Sequence, residues 1–333
     1  MFNDKSILIT GGTGSFGNHF VEYVLKHYNP KRIVIYSRDE YKQFIMHNKF
    51  NEYDDILRFF IGDVRDQDRL KRALNGIDYV VHAAALKQVP SCEYNPLEAI
   101  KTNIDGASNV INACLDSPNV KRVVALSTDK AVNPVNLYGG TKFVSDKLFI
   151  AANSYTGSSE LKFAVVRYGN VAGSRGSVIP FFKGIIDKGK TSLPITDYRM
   201  TRFWIKLEEG IKLVIKALAE SRGGETFISK IPSFKVTDLA QAMLPGCDMP
   251  EVGIREGEKL HEVMVSKEDA PFTYEYEKNY IIYPHYTWWS ENRIIPGGRS
   301  VDPEFVYSSG TNTQWLSVDD LKARLGDIYR EML

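Results

Sequence analysis

Ile7-Leu8-Ile9-Thr10-Gly11-Gly12-Thr13-Gly14-Ser15-Phe16-Gly17 decides the fold. A short apolar run without polar alternation reads as a strand buried on both faces. The glycines at 11, 14 and 17 follow it at once, and a helix-like stretch, Asn18 to Lys26, comes next. Glycine lets the backbone turn sharply and approach a pyrophosphate, which then sits at a helix N-terminus where backbone N–H groups are free. A glycine motif alone is a weak signal; its strand–loop–helix setting makes this one strong.

The same rhythm continues outward. Arg32 to Tyr36, Leu57 to Ile61, Tyr79 to Ala83, Arg122 to Leu126 and Phe163 to Arg167 read as strands. Helix-like stretches, Asp66 to Leu74, Ala107 to Cys114 and Thr141 to Asn153, lie between them. Apolar strands separated by helices predict an α/β fold, a Rossmann-type doubly wound parallel sheet covered on both faces. After about residue 168 the rhythm breaks in Gly169-Asn170 and Gly173-Ser174-Arg175-Gly176. The expected division is a dinucleotide-binding domain over 1–168, to which 203–230 returns, and a smaller mixed α/β substrate lobe over 169–333. Residues 271–333 read as aromatic-rich and irregular.

Composition narrows the function classes. The chain has 333 residues, 43% hydrophobic and 25% charged, with a net charge of +1. That is an ordinary globular mix with no basic face for nucleic acid. No run approaches the roughly 20 apolar residues of a membrane span, and the first residues are too briefly apolar for a signal peptide. Cys92, Cys114 and Cys247 are few, odd in number and widely spaced, which suits buried thiols in a reducing cytoplasm. No metal-ligand cluster is expected. His261-Glu262-Val263-Met264 lacks the second histidine of a zinc-protease helix and reads as the polar side of a helix.

An NAD site usually shows an acid about twenty residues beyond the glycine loop, gripping the ribose hydroxyls. Here the second strand ends Tyr36-Ser37-Arg38-Asp39, with Lys42 one turn on. Ser37, Arg38 and Lys42 suit a 2′-phosphate, so NADP is favoured; Asp39 is compatible with an NAD ribose instead. Asp63 and Val64 would flank the adenine. Ala83, Ala84 and Ala85 would pass beneath the dinucleotide, since small side chains permit close approach.

The reactive residues follow the fifth strand. In Tyr138-Gly139-Gly140-Thr141-Lys142 the tyrosine and lysine share one helix face. A free tyrosine has a pKa near 10, so Lys142 and a nicotinamide charge are expected to favour the phenolate. Tyr138 would take a proton from a sugar hydroxyl as hydride leaves carbon 4, and Thr128 would hydrogen-bond that hydroxyl. The oxidised carbon 4 acidifies the hydrogen on carbon 5. Asp129 is the expected acid toward the carbon 6 hydroxyl, and Lys130 the expected base at carbon 5. A base role requires the lysine pKa, near 10.4 when free, to fall to roughly 7–8.

These stretches together resemble the extended short-chain dehydrogenase/reductases. More narrowly, the chain is similar to inverting UDP-N-acetylglucosamine 4,6-dehydratases, the first enzymes of pseudaminic acid synthesis. The carriers are Thr10 to Gly17, Tyr36 to Glu40, Ala83 to Pro90, Lys101-Thr102-Asn103, Ser127 to Lys130, Tyr138 to Lys142, Arg167 to Val171, Arg199 to Phe203 and Ile254 to Lys259. Most sugar-nucleotide 4,6-dehydratases have Asp-Glu where this chain has Asp129-Lys130; the lysine marks the inverting group. Tyr138 points away from those inverting relatives that carry Met there.

The resemblance implies a closed redox loop on a tightly bound, recycled NADP: hydride leaves carbon 4, water leaves carbons 5 and 6, and the hydride returns to carbon 6. It gives Gly11, Thr13, Gly14, Ser15, Phe16, Gly17, Glu40, Lys87, Asn103, Ser127 and Val171 to the cofactor, with Tyr138 and Lys142. It gives Lys87, Thr128, Asn170, Arg175, Val178, Arg199, Met200, Thr201, Arg255 and Glu258 to UDP-N-acetylglucosamine. Arg199 and Arg255 are expected at the diphosphate and Glu258 at the ribose. A homo-oligomer, dimer to hexamer, is also implied. Two rivals stand beside this reading. A UDP-hexose 4-epimerase shares the dinucleotide site and the Tyr/Lys pair without needing Asp129 or Lys130, and a non-catalytic NADP sensor would need none of the four.

Overall fold

The structure is a computed structural model that describes residues 1–173, 177–286, 289 and 297–332. Among these, ten strands form one sheet. In chain order the strands are β1 (Ser6–Thr10), β2 (Arg32–Ser37), β3 (Leu57–Ile61), β4 (Tyr79–His82), β5 (Arg122–Thr128), β6 (Lys162–Tyr168), β7 (Thr201–Phe203), β8 (Thr226–Ser229), β9 (Ser233–Lys235), β10 (Val263–Val265), β11 (Thr273–Glu275), β12 (Asn279–Ile282), β13 (Arg299–Ser300) and β14 (Tyr307–Ser308). The sheet order is β13-β11-β12-β8-β6-β5-β4-β1-β2-β3. The stretch from β3 to β8 is parallel, and β12, β11 and β13 are added antiparallel.

Every residue of β1 is buried, as a parallel strand with helices on both faces requires. The helices are α1 (Ser15–His27), α2 (Glu40–Lys49), α3 (Gln67–Ala73), α4 (Val89–Tyr94), α5 (Pro96–Ile100), α6 (Gly106–Leu115), α7 (Leu137–Ala151), α8 (Val178–Ile186), α9 (Leu207–Glu220), α10 (Val236–Met243) and α11 (Val318–Met332). Between α5 and α6 the helix widens to a π turn over Lys101–Asp105. One core, with Ile7, Ile9, Val21 and Val214, packs α1 and α9 on one face of the sheet. Another, with Leu8, Val34, Val110 and Phe163, packs α3 and α6 on the other. A third joins α8, α10 and α11 around Trp204 and Phe234.

The chain leaves β1 toward β2 and β3 on one side and resumes at β4 on the other. In such sheets the reversal opens a crevice beyond the carboxyl ends of the strands, where ligands bind. Two antiparallel pairs, β7 with β9 and β10 with β14, hang over that end. The structure departs from the sequence reading in two places. The stretch read as irregular contains three strands among the described residues: β11, β12 and β13 extend the main sheet. His261 to Met264 is not helical: it leads into β10, and Glu262 is buried at 2% exposure. Strands of two to four residues are too short to show a period, so neither was visible in the pattern.

Candidate active site

A cavity of about 1180 Å³ runs from the glycine loop, past the ends of β4 and β5, to α8 and the 255–262 segment. At the glycine end, Gly11 has φ +66, and a Cβ there would lie 2.9 Å from the Ala84 backbone. A Cβ on Gly17 would lie 2.1 Å from the Gly12 carbonyl. The helix can therefore begin hard against the loop only with glycine at both places. The N-cap of α1 is Gly14, with no side-chain cap and no acid in the first turn. Its first N–H groups and positive dipole end are left for an anion, so the residues present fit a dinucleotide pyrophosphate.

Thr13 Oγ1 and Ser37 Oγ lie 2.7 Å apart, and Ser37, Arg38, Asp39 and Lys42 line this end. Asp39 caps α2, accepting from the Lys42 N–H at 2.9 Å, and pairs with Lys42 Nζ at 2.7 Å. Asp63 and Val64 line the cavity too, as do Ala83, Ala84, Ala85 and Lys87. Gly17 and Glu40 do not line it: Gly17 is packed inside α1 and Glu40 is exposed on α2. Asn103 is buried away from the cavity wall. Its amide both donates to the Leu86 carbonyl and accepts from the Leu86 N–H, each at 2.8 Å, and it donates to Thr141 Oγ1. It fixes the loop after β4 from the π turn, a distortion often found near functional sites.

The reactive cluster forms where β5 ends. The Asp129–Ala131 turn follows Thr128 directly. Helix α7 is capped by Asn136, whose Oδ1 accepts from the Gly139 N–H at 2.7 Å. A Cβ on Gly139 would stand 2.2 Å from the Lys130 carbonyl, so glycine lets α7 seat Tyr138 beside the Asp129 turn. Thr128 Oγ1 donates to Asp129 Oδ1 at 2.9 Å, and Tyr138 lines the same cavity wall. Lys142 is buried at 3% exposure. One turn on, Asp146 accepts from Ser127 Oγ at 2.6 Å and lies 3.8 Å from Arg167.

The charge states correct two expectations. Lys130 Nζ donates to Asp129 Oδ1 at 3.1 Å and to Glu262 Oε1 at 2.9 Å. Burial alone would lower its pKa, but the two carboxylates outweigh burial and raise it. Lys130 is an ammonium here, not a free base. Burial pushes the Tyr138 phenol up to about 12 against the opposing pull of Lys130 and Thr128. The chain's own residues therefore hold Tyr138 neutral. Burial and Glu262 raise the Asp129 carboxyl, in keeping with a proton donor. Burial disfavours the Glu262 carboxylate, but Lys130 and Arg202 outweigh it and keep the group ionised.

At the far end Asn170, Val171, Val178, Met200, Arg255 and Glu258 line the cavity. Asn170 Oδ1 and Glu258 Oε2 are buried without a partner, as groups awaiting a ligand would be. Arg255 lies over the Phe181 ring at 5.9 Å. Arg199 does not line the cavity: it is exposed and held by Asp197 at 2.7 and 3.0 Å. Thr201 is buried, hydrogen-bonded to His261 and Ser309 at 2.8 Å. Arg202 lines the cavity in their place. Arg175 lies outside the described residues. Arg202, Glu262 and the aromatic floor of Trp204, Phe234 and Phe182 were not assigned to the site from the sequence, because their roles arise from distant segments meeting.

The family described as "Polysaccharide biosynthesis protein" matches residues 7–284. A protein of Campylobacter jejuni subsp. jejuni named "UDP-N-acetylglucosamine 4,6-dehydratase (inverting)" is 54% identical over 327 residues, 96% of this chain and 97% of that one. A Rickettsia conorii protein named "UDP-glucose 4-epimerase" is 45% identical over 276 residues, covering 81% and 80%. Among solved structures, Pen from Bacillus thuringiensis superimposes with a TM-score of 0.88 at 36% identity, covering 99% of each chain. DesIV, a dTDP-glucose 4,6-dehydratase from Streptomyces venezuelae solved with NAD and TYD bound, shares the fold with a TM-score of 0.67 at 24% identity, covering 77% and 86%.

Proposed function

The chain belongs to the polysaccharide biosynthesis protein family, and from that membership and the site's geometry we propose that it is an inverting UDP-N-acetylglucosamine 4,6-dehydratase. The observation that carries the reading is the buried Asp129, hydrogen-bonded to both Lys130 and Thr128, with Tyr138 at the same cavity wall. An epimerase needs only the tyrosine and lysine. An acid and an amine at hydrogen-bond distance add what elimination requires, a proton for the departing oxygen and a base for carbon 5. The 54% identity to the Campylobacter dehydratase, against 45% to the Rickettsia epimerase, points the same way.

A bound nicotinamide dinucleotide would accept hydride from carbon 4 and return it to carbon 6. The protein's residues manage the protons. Tyr138, shifted to the phenolate by Lys142 and by the positive ring that a bound oxidised nicotinamide would supply, would receive the proton of the carbon 4 hydroxyl, and Thr128, bonded to Asp129 beside it, would orient that hydroxyl. Asp129 gives its proton to the carbon 6 oxygen, which leaves as water. Lys130 takes the carbon 5 proton, and inversion follows when the planar intermediate turns its opposite face to the same amine before the proton is returned. NADP is preferred in this reading: Ser37, Arg38 and Lys42 stand together at the cavity wall, where a 2′-phosphate would take over the contacts that Lys42 now makes with Asp39 and Arg38 with Asp63.

Asn170, Arg255 and Glu258 would hold the sugar nucleotide. The proposal includes a dinucleotide domain over 1–168 with 203–230 returning to it, which β8 and α9 on the main sheet support, and a sugar-nucleotide lobe in 169–333. It also places the enzyme in the cytoplasm, at the head of pseudaminic acid synthesis. Exposed Tyr94, Leu97 and Phe143 on α4, α5 and α7 favour a homo-oligomer.

The pure protein is incubated with UDP-N-acetylglucosamine and NADP and followed by proton NMR and mass spectrometry. A new methyl doublet on a keto sugar, with loss of one water, is expected, and its couplings give the configuration at carbon 5. Unchanged mass with altered ring couplings would make it an epimerase.

A further inference from the structure

Glu262 comes from the segment before β10 and reaches the reactive cluster across 132 positions of sequence. Its backbone is clamped: the Glu262 N–H donates to Ser309 Oγ at 2.9 Å, and the Ser309 N–H donates to the Glu262 carbonyl at 2.8 Å. Its Oε1 accepts from Lys130 at 2.9 Å, and its Oε2 is buried without a partner. Such a carboxylate is costly to bury unless it serves the group it touches. We propose that Glu262 is the proton acceptor that turns Lys130 from an ammonium into a base, acting through the lysine and not on the sugar. The inference rests on the dehydratase reading above and deepens it.

The step balances within the cluster. The Nζ–H bond breaks as an Oε1–H bond forms, converting an ion pair into a neutral amine and a neutral acid. The freed Nζ lone pair takes the carbon 5 proton. The electrons of that C–H bond form the double bond to carbon 6 as its C–O bond breaks, and Asp129 supplies the proton that leaves with the oxygen. When carbon 5 is reprotonated by Lys130, Glu262 returns its proton to the amine. A sugar filling the cavity displaces water, and lower polarity favours the neutral pair over the charged one.

The titratable and charged groups facing this pair are Asp129 on the turn after β5, Arg202 on β7, Lys259 on the preceding loop, and the neutral Tyr138 phenol on α7. Arg202 opposes the transfer. Its Nε is 3.7 Å from Oε1, but its guanidinium is engaged with the Thr201 and Leu260 carbonyls at 2.7 and 3.2 Å.

The test uses the full chain and the 4-keto-6-deoxy sugar nucleotide the reaction would form, in deuterium oxide. Exchange at carbon 5 of that compound needs a base but no hydride transfer. Wild type exchanges. Glu262→Gln keeps size and an acceptor but takes no proton, and should exchange at least about 100-fold more slowly near neutral pH, recovering as pH rises and solvent hydroxide deprotonates Lys130. A purely electrostatic Glu262 gives the opposite sign: losing a carboxylate makes the ammonium more acidic, so the variant would exchange at least as fast as wild type at neutral pH. That result overturns the relay. Should Glu262→Gln fail to fold, Glu262→Asp is read instead: slower exchange with the wild-type pH profile supports the relay, and equal exchange overturns it. A wild type that releases no water from UDP-N-acetylglucosamine removes the dehydratase reading and the relay together. A wild type that does, beside a freely exchanging Glu262→Gln, removes the relay alone.

Discussion

His82, at the end of β4, shows how much a single residue's state depends on its surroundings. Its Nδ1 lies 2.8 Å from Thr10 Oγ1. That oxygen accepts from the N–H groups of Ala83 and Ala84 at 3.2 and 3.3 Å, so its own proton points to His82. Burial, then the charge of Lys142, pull the His82 pKa down to about 3. Unfolded histidine titrates near 6.5, so between the two values the unfolded chain binds the extra proton. Stability from this group is therefore complete above about pH 6.5 and is lost as pH falls toward 3, by up to about 1.4 kcal/mol per unit. Thermal melts from pH 7 down to pH 4 should show a steeper fall of Tm for wild type than for His82→Asn. Parallel slopes would show that His82 does not carry this dependence. The reactive residues were legible by type and spacing: Asp129, Lys130, Tyr138 and Lys142 all meet at the cavity. Their charges were not. Lys130 reads as a base in sequence and is an ammonium in the fold, because Asp129 beside it and Glu262, which arrives from a segment that no local pattern connects to it, together outweigh its burial.

At the scale of elements, α7 is the piece on which the chemistry hangs. Its two adjacent glycines are alike in sequence and opposite in structure. A Cβ on Gly139 meets the Lys130 carbonyl at 2.2 Å, whereas one on Gly140 meets nothing within 4 Å. Gly139→Ala must push the helix off the Asp129 turn, and should cut kcat by roughly 100-fold, since misplacement by about 1 Å can cost that much. Gly140→Ala should keep activity and gain about 0.5–1 kcal/mol, the ordinary preference of a helix for alanine over glycine. Steady-state rates and melts of the two variants check this, and equal effects would refute the seating role. Elements with long periods, such as α1 and α7, were readable in advance. The run into β10 was not: three strand residues carry too little pattern, and Glu262 beside them looked like an exposed helix charge until its neighbours enclosed it.

Across the whole molecule, the last sixty or so residues finish both lobes. β11, β12 and β13 continue the main sheet beyond β8, and Leu321, Leu325 and Ile328 of α11 complete the core around Trp204 and Phe234. A chain ending at residue 270 would leave β8 as an unpaired apolar edge and open that core. It should be recovered as aggregate or bind the dye ANS without a cooperative melt; a soluble, cooperatively melting fragment would contradict this. The chain's own order of residues determined the parallel sheet, the glycine cradle and the Tyr138/Lys142 helix, because each depends on neighbours within a few positions and on burial that apolar runs announce. Tertiary structure alone decided which cations face the cavity, with Arg202 inside and Arg199 turned out to Asp197, and which carboxylate controls Lys130. Those outcomes depend on the electric field and desolvation made by segments far apart in sequence, and neither exists until the chain has closed.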